Sequence, residues 1–302
     1  MALVTTAHDI YRGTSGISLP KELSDEIWAG AQDESAIMRL AQRIDLPGSG
    51  LTIPVITADP TADWVVESAE KPVSNSTFSS KNMTPYKLAV IETFSMEFRR
   101  DLPRLYAELV RRLPAAIAKK FDATVFGGTA PGTGFDVLTS VTAQNIAAPA
   151  SPATTVYGNL VSALTTLGAA GYELNGWALA VQGEALLLGA VDGNGLPIFN
   201  STSEAGIGRI LGANEYRAQQ AYKAGTTSPA VADVVGFAGD WSKARYGIVD
   251  GINVRISDQA TVNDGSAQVN LWQRNMFAVM VEAEVGFVAD TSAFLRLTQP
   301  HA

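Results

Sequence analysis

The sequence predicts an α+β fold in which one long helix and several long strands form a body, and a two-armed β excursion projects from it. Three stretches predict this. "DLPRLYAELVRRLPAAIAKKFDATVF" (101–126) has an apolar stripe at helical spacing. "VNLWQRNMFAVMVEAEVGFVADTSAFLRLTQP" (269–300) reads as long alternating or apolar strands. "PTADWVVESAEKPVSNSTFSSKN" (60–82) is polar and lies between two strand-like segments.

Composition narrows the function before any motif does. The 302 residues are 46% hydrophobic and 17% charged, a globular balance. The net charge is −8, and the 22 Lys and Arg are not gathered into one basic face, which argues against sequence-reading nucleic-acid binding. There are no cysteines, so disulfides and thiolate chemistry are excluded. The two histidines, His8 and His301, sit near the chain ends, so the commonest general base is missing from the body. No signal peptide and no uninterrupted apolar span is visible, and the expectation is a soluble cytoplasmic protein.

In chain order, residues 1–16 are small and polar and read as a flexible N-terminal arm. Residues 18–47 carry a helix from near Pro20, with Leu23, Ile27 and Trp28 at helical spacing, and a second helical patch at Ile37, Leu40 and Ala41. "GLTIPVIT" (50–57) is β-rich, and Pro54 suits it to an edge. "TPYKLAVIETFSMEF" (84–98) is the second arm of the excursion. In the long helix, Asp101 is the expected N-cap and Pro103 fits the first turn. Pro114 is expected to kink the helix near Val110, and Gly127 and Gly128 to end it. Its length at 1.5 Å per residue is roughly 39 Å. After a loop-rich stretch (127–155), a helix near 156–170, a strand at 177–182 and a helix near 183–190 alternate. Turns and short strands follow to about 260.

Candidate chemistry is thin. "GIGRILG" (206–212) has the wrong spacing for a dinucleotide loop and reads as a turn. Glu282 and Glu284 share one face of a strand, which a solvated or partner-facing strand explains better than a catalytic pair. "NDG" (263–265) is a hairpin turn signal. The five tryptophans are spread along the chain and read as buried anchors. No catalytic, cofactor-binding or metal-binding constellation is visible.

The polar excursion is more informative. A compact chain of this length has a radius of gyration of about 19 Å. The arms from Asp59 to about Val90 reach about 40–50 Å at ~3.3 Å per residue. A two-stranded ribbon is marginal alone in water and exposes its edges. It makes sense lying across another copy of the protein, with Trp64, Val66, Phe78 and Tyr86 buried there.

The order of elements resembles the major capsid protein of tailed bacteriophages, the Hong Kong 97-type shell fold. "ADWVVESAEKPVSNSTF" (62–78) resembles that family's extended-loop signature, and "KLAVIETFSMEFRRD" (87–101) its return strand into the spine helix. "AAIAKKFDATVFGGTAPGTGFDVL" (115–138) resembles the end of that helix, and "DGNGLPIF" (192–199) the Gly-rich axial turn. "GDWSKARYGIVDGINVRIS" (239–257) and "MVEAEVGFVADTSAFLRLT" (280–298) resemble the two closing segments. The likeness runs from about residue 17 to 300.

The resemblance implies a phage capsid shell fold with an N-terminal arm (1–16) and a peripheral domain of spine helix and long strands (17–58, 88–150 and 262–302). It also implies an extended β-hairpin loop (59–87) and an axial α/β domain (151–261). The loop would overlap the next subunit through Trp64, Glu67, Glu70, Lys71, Pro72, Phe78 and Lys81. Pro114, Gly127 and Gly128 would be hinge points. The implied function is self-assembly through pentamers and hexamers into an icosahedral virion shell, built in the host cytoplasm around double-stranded DNA that is not bound sequence-specifically. No cofactor is implied. Other partners would be a portal and a decoration protein; Met1 stands only about 16 residues before the body, so either a separate scaffolding protein acts or none is needed. Lys71 and Lys81 are expected as solvated loop lysines, with no motif that selects a crosslinking Asn or Glu. The rival readings are an encapsulin-type nanocompartment packaging a cargo enzyme and, more remotely, a soluble α/β enzyme.

Overall fold

The computed structural model describes residues 35–58, 62, 64–65, 70–71, 73, 77–97, 103–147, 152–199, 208–249, 253–263 and 267–301. The expected arm (1–16), the helix from Pro20, the Asp101 cap, and Glu67 and Pro72 of the loop lie outside the described residues.

The centre of the first sheet is β14 (Met276–Ala289), a strand of about 48 Å at ~3.4 Å per residue. One edge pairs antiparallel along Met276–Val285 with β4 (Tyr86–Ser95). The other edge is shared end to end by β11 (Asn253–Ser257) and β10 (Ala244–Ile248), both antiparallel. β1 (Gln42–Asp45) adds in parallel outside β10. Alternation decides the two faces: Phe277, Val279, Val281, Ala283, Val285, Phe287 and Ala289 all enter the main core. Glu282 and Glu284 point to the other face, as expected, and Glu284 pairs with its cross-strand neighbour Lys87 at 3.3 Å.

The core against that odd-numbered face is closed by α2 (Pro103–Gly127), which follows α1 (Ala36–Leu40). Leu113, Ile117, Ala118, Phe121, Val125 and Phe126 of α2 are buried at helical spacing. Phe121 meets Phe287 of β14 and Phe135 edge-on, each at 6.3 Å. One turn later, Phe126 stacks at 5.2 Å on Phe237, which belongs to the second sheet. The helix is therefore a spine shared by both sheets. The helix runs unbroken through Pro114.

The second sheet has the order β5 (Thr142–Asn145), β15 (Phe294–Gln299), β9 (Asp233–Gly239), β6 (Gly176–Leu179), β8 (Ala213–Arg217), β7 (Arg209–Ile210). Its middle strands β6 and β9 are buried along their whole length, since helices cover both faces. Ala178, Phe237 and Phe294 face α2. Trp177, Leu179, Val235, Ala238, Leu295 and Leu297 face a second core under α3 (Pro152–Ala169) and α4 (Val181–Leu188). Of "GIGRILG", residues 206–207 lie outside the described residues, Arg209–Ile210 are β7, and the turn is at 211–212. Leu211 and Gly212 have φ of 49° and 86° and form the two-residue link between β7 and β8.

Two short 3-10 crossovers carry the chain between the sheets, Trp241–Lys243 from β9 to β10 and Thr291–Ala293 from β14 to β15. Each opens on an aspartate, Asp240 or Asp290, whose side chain accepts the N–H two residues on. The crossovers also bond each other: Asp240 N donates to Ala293 O at 3.0 Å, and Asp290 N to Lys243 O at 3.3 Å.

Three features depart from the sequence reading. The segment 51–58 does not pair with the 84–98 strand. β2 (Leu51–Ala58) pairs with β3 (Thr77–Met83), and β4 belongs to the first sheet. Residues 42–45, directly after the second helical patch and not expected as a strand, form one because they add to the open edge of β10. Sheet membership also cuts across the boundaries drawn at 151 and 261, because β5 and β15 join the second sheet while β10 and β11 join the first. Phe121→Ala should lower the unfolding free energy of the subunit by about 3–5 kcal/mol, measured by denaturant titration, because the ring is enclosed by two others and α2 spans both sheets.

Candidate functional site

The feature that the body's own core does not account for is the ribbon of β2 and β3. It forms a separate two-stranded sheet, with register from Leu51↔Met83 at its base to Ala58↔Thr77 outward. Pro54, opposite Ser80, is tolerated because each strand has a free edge. Beyond the ribbon, Trp64 is fully exposed, and Val73, Glu70 and Lys71 are exposed as well. An indole left wholly in water forfeits the burial of a large apolar surface, so this end of the ribbon has contact area to spare.

The base of the ribbon is fastened to the body. Met83 and Ile53 are buried with Leu46 and Val288 in a small cluster. Lys81 Nζ lies 2.7 Å from Asp136 Oδ2 and donates to Ala289 O at 2.6 Å. The same Asp136 oxygen accepts Ala289 N–H at 3.0 Å, and Asp136 N donates to Phe287 O at 2.9 Å. Thr84 N donates to Gly134 O at 2.9 Å. Gly134 has φ of 78°, and a Cβ there would come within 2.5 Å of Thr84 Oγ1. These bonds fix the angle at which the ribbon leaves the body.

This geometry corrects two expectations. Lys81 is not a solvated loop lysine, because its ammonium is held inside its own chain. Tyr86 is not available to a neighbour: its ring packs on Phe135 and its hydroxyl donates to Thr133 O at 2.7 Å. Of the remaining loop residues, Trp64, Glu70 and Lys71 are placed in solvent, and Phe78 pairs its backbone with Ile56. The tryptophans divide: Trp177 and Trp241 are buried anchors, whereas Trp64 and Trp272 are exposed.

The expected hinge residues lie along and at the exit of α2. Gly127 is its last residue, and Gly128 N donates to Thr124 O at 3.1 Å, closing the final turn. Five residues before Gly127 sits Asp122, a buried carboxylate that the sequence reading did not single out. Its oxygens accept Ser35 Oγ at 2.5 Å, Ala36 N at 2.8 Å and Ile37 N at 3.4 Å. Ser35 in turn accepts Met38 N, so α1 is capped by its own serine and clamped to the spine. Burial pushes the Asp122 carboxyl up to about 6, against the opposing pull of those hydrogen bonds. The visible signal was an acid interrupting an apolar helical stripe.

Chemistry of other kinds is not assembled. Among the described residues no group of His, Asp and Glu could hold a metal ion. His301 Nδ1 lies 2.6 Å from Asp233 Oδ1. Burial works to raise the Asp233 carboxyl, but hydrogen bonds from Gly225 N–H, His301 and Gln299 hold it below the usual range. Arg217 sits 2.7 Å from the buried Glu184. Burial, and then Glu184, push the neighbouring Glu215 upward. These groups knit β8 and β9 to their surroundings.

Against known proteins, residues 15–298 match the phage capsid family. The chain is similar to the probable major capsid protein gp17 of Mycobacterium phage D29, 32% identical over 294 residues, covering 93% of this chain and 89% of that protein. It is similar to gp17 of Mycobacterium phage L5, likewise described as a probable major capsid protein, at 32% over 303 residues, 94% of this chain and 90% of that one. Among solved structures it is similar to a chain from Gordonia phage Cozz, with TM-score 0.72 and 22% identity over 89% of this chain and 87% of that one.

Folded Asp122 holds its proton to higher pH than its ordinary value of 3.8 allows, so the folded state binds more protons between pH about 4 and 6, and stability falls as pH rises through that window. Asp122→Asn, which keeps an acceptor for Ala36 N–H, should remove about 3 kcal/mol of that decline. Urea melts of variant and parent at pH 4 and pH 7 check it, and parallel pH profiles would rule this role out.

Proposed function

Because this chain belongs to the phage capsid family, we propose that it is the major capsid protein of a tailed phage, a subunit whose copies close a shell. It acts as a component of the virion. The observation that carries the reading is the ribbon, a two-stranded sheet fastened at its base and leading to a fully exposed tryptophan, with no second layer over it among the described residues. The first sheet, with the spine helix, serves as the peripheral body. The second sheet, with α3 and α4, serves as the axial domain at the centres of five- and six-membered rings. The outer part of the loop, residues 59–76, reaches over the next subunit in the ring, with Trp64, Glu70 and Lys71 at the contact.

The shell encloses double-stranded DNA without reading it. An acidic chain with no collected basic face confines a polyanion without gripping it. Rings of five and six made from one chain require small angular adjustments, and Pro114 with Gly127 and Gly128 is where the spine and its exit absorb them. Assembly takes place in the host cytoplasm, with a portal and, where used, separate scaffolding and decoration proteins. The curated relatives favour this reading over a cargo-packaging compartment.

Replacing residues 59–76 by a Gly-Ser link should leave a folded subunit that forms no rings, checked by sedimentation velocity and negative-stain electron microscopy. Rings of normal size from that variant would end the role given to the loop. Pro114→Ala should change particle size or yield, and particles identical to the parent's would remove Pro114 from the hinge. DNA-filled particles separate a virion from a compartment that carries protein cargo.

A further inference from the structure

From Asp136 to Glu173 the chain contains no Asp, Glu, Lys, Arg or His, although 17% of the whole sequence is charged. Half of this run is α3. Among its described side chains, that helix buries a narrow stripe, Val156, Leu160, Ala163 and Leu167, beneath it. A helix exposed on its remaining faces normally carries charge there. Here the outer side presents Tyr157, Val161 and Leu164, which are 43%, 38% and 40% exposed and follow one another at i, i+4 and i+7. The hydroxyls between them turn inward. Ser162 donates to Gly158 O at 3.0 Å, Thr165 to Val161 O at 2.9 Å and Thr166 to Ser162 O at 2.8 Å. What these positions offer outward is carbon. At its C-terminal end the seam runs into an open depression of about 710 Å³ lined mainly by Leu164, Gly168, Tyr172, Leu174 and Leu211, with Glu173 the one charged residue in its lining.

We infer that this outer side of α3 is a contact surface between copies of this chain, formed by the Tyr157–Val161–Leu164 seam and the depression beyond it. The occupant follows from charge. Each copy carries a net charge of −8, so two copies repel over most of their surfaces and approach at lowest cost where neither side is charged. Nucleic acid would require a basic surface, and a basic partner would require an acidic one, and α3 offers neither. Interface cores are depleted of charge and enriched in aromatic anchors, the part Tyr157 plays here. The inference rests on the shell-building reading and says where one of its contacts lies.

The test uses the full chain, comparing Val161→Asp and Leu164→Arg, each alone, with the parent. Both positions are exposed, so the variants should keep the parent's circular dichroism and melting curve. They should require at least tenfold more protein to form rings or particles, read by sedimentation velocity. Val161→Ile should assemble like the parent. Hydroxyl-radical labelling of Tyr157 in the unmodified chain should drop several-fold from dissociated subunits to assembled particles, a readout that does not depend on any variant folding. Normal assembly of both charged variants, or undiminished labelling of Tyr157 in particles, overturns the proposal while leaving the shell-building reading intact. Protection that comes only with an added second protein assigns the surface to another partner and also overturns it. A parent chain that stays monomeric at every concentration overturns both readings together.

Discussion

The packing of the spine helix on β14 is the interaction on which the other parts depend. β14 has hydrogen-bonding partners along both edges, and its odd-numbered side chains supply an unbroken apolar row from Phe277 to Ala289. A single helix covers that row and then continues far enough to stack Phe126 on the second sheet. Each large side chain removed from water there contributes about 1.5–3 kcal/mol. Asp122 then positions α1 from the helix, and Asp136 positions the ribbon from the end of β14. Both acids bind backbone N–H groups, so they orient chain segments and not just charges. Remove the helix–strand contact and neither acid has anything fixed to point from.

The parts legible in the sequence were those whose pattern is local. The alternation of β14 and the stripe of α2 are set by residues close in the chain, and both elements lie where the periodicity puts them. The turn at 211–212 and the edge character of Pro54 are likewise local chemistry. Pairing partners are not local. Nothing in "TFSSKNM" announces that it, and not the more apolar strand after it, returns beside β2. "QRID" becomes a strand only because β10 has an open edge. Lys81 looks like any loop lysine until the fold brings Asp136 to it from 55 residues away. Within the candidate site, exposure of Trp64 was consistent with its setting in a polar run, whereas the self-contained environment of Tyr86 depended on Phe135 and Thr133 arriving from after the spine helix.

A subunit of this kind is finished inside and open outside. Its buried strands are covered on both faces, and most of its buried acids have partners. Its periphery nonetheless keeps a ribbon with two free edges, an exposed indole and an outward helix without charge. The solved chain from Gordonia phage Cozz shares this architecture at 22% sequence identity. Strand order and helix placement are thus specified by pattern and pairing more than by particular side chains.

The reciprocal bonds between the two crossovers carry a mechanical meaning. Two chain passages lying side by side, each stiffened by an aspartate cap and each bonded to the other, behave as a double-leaf joint with little torsional give. A single covalent passage would let one sheet swivel against the other; two linked passages resist it. The two sheets are thus tied at the crossovers, which leaves the spine helix and its exit at Gly127 as the place where the trunk can still yield.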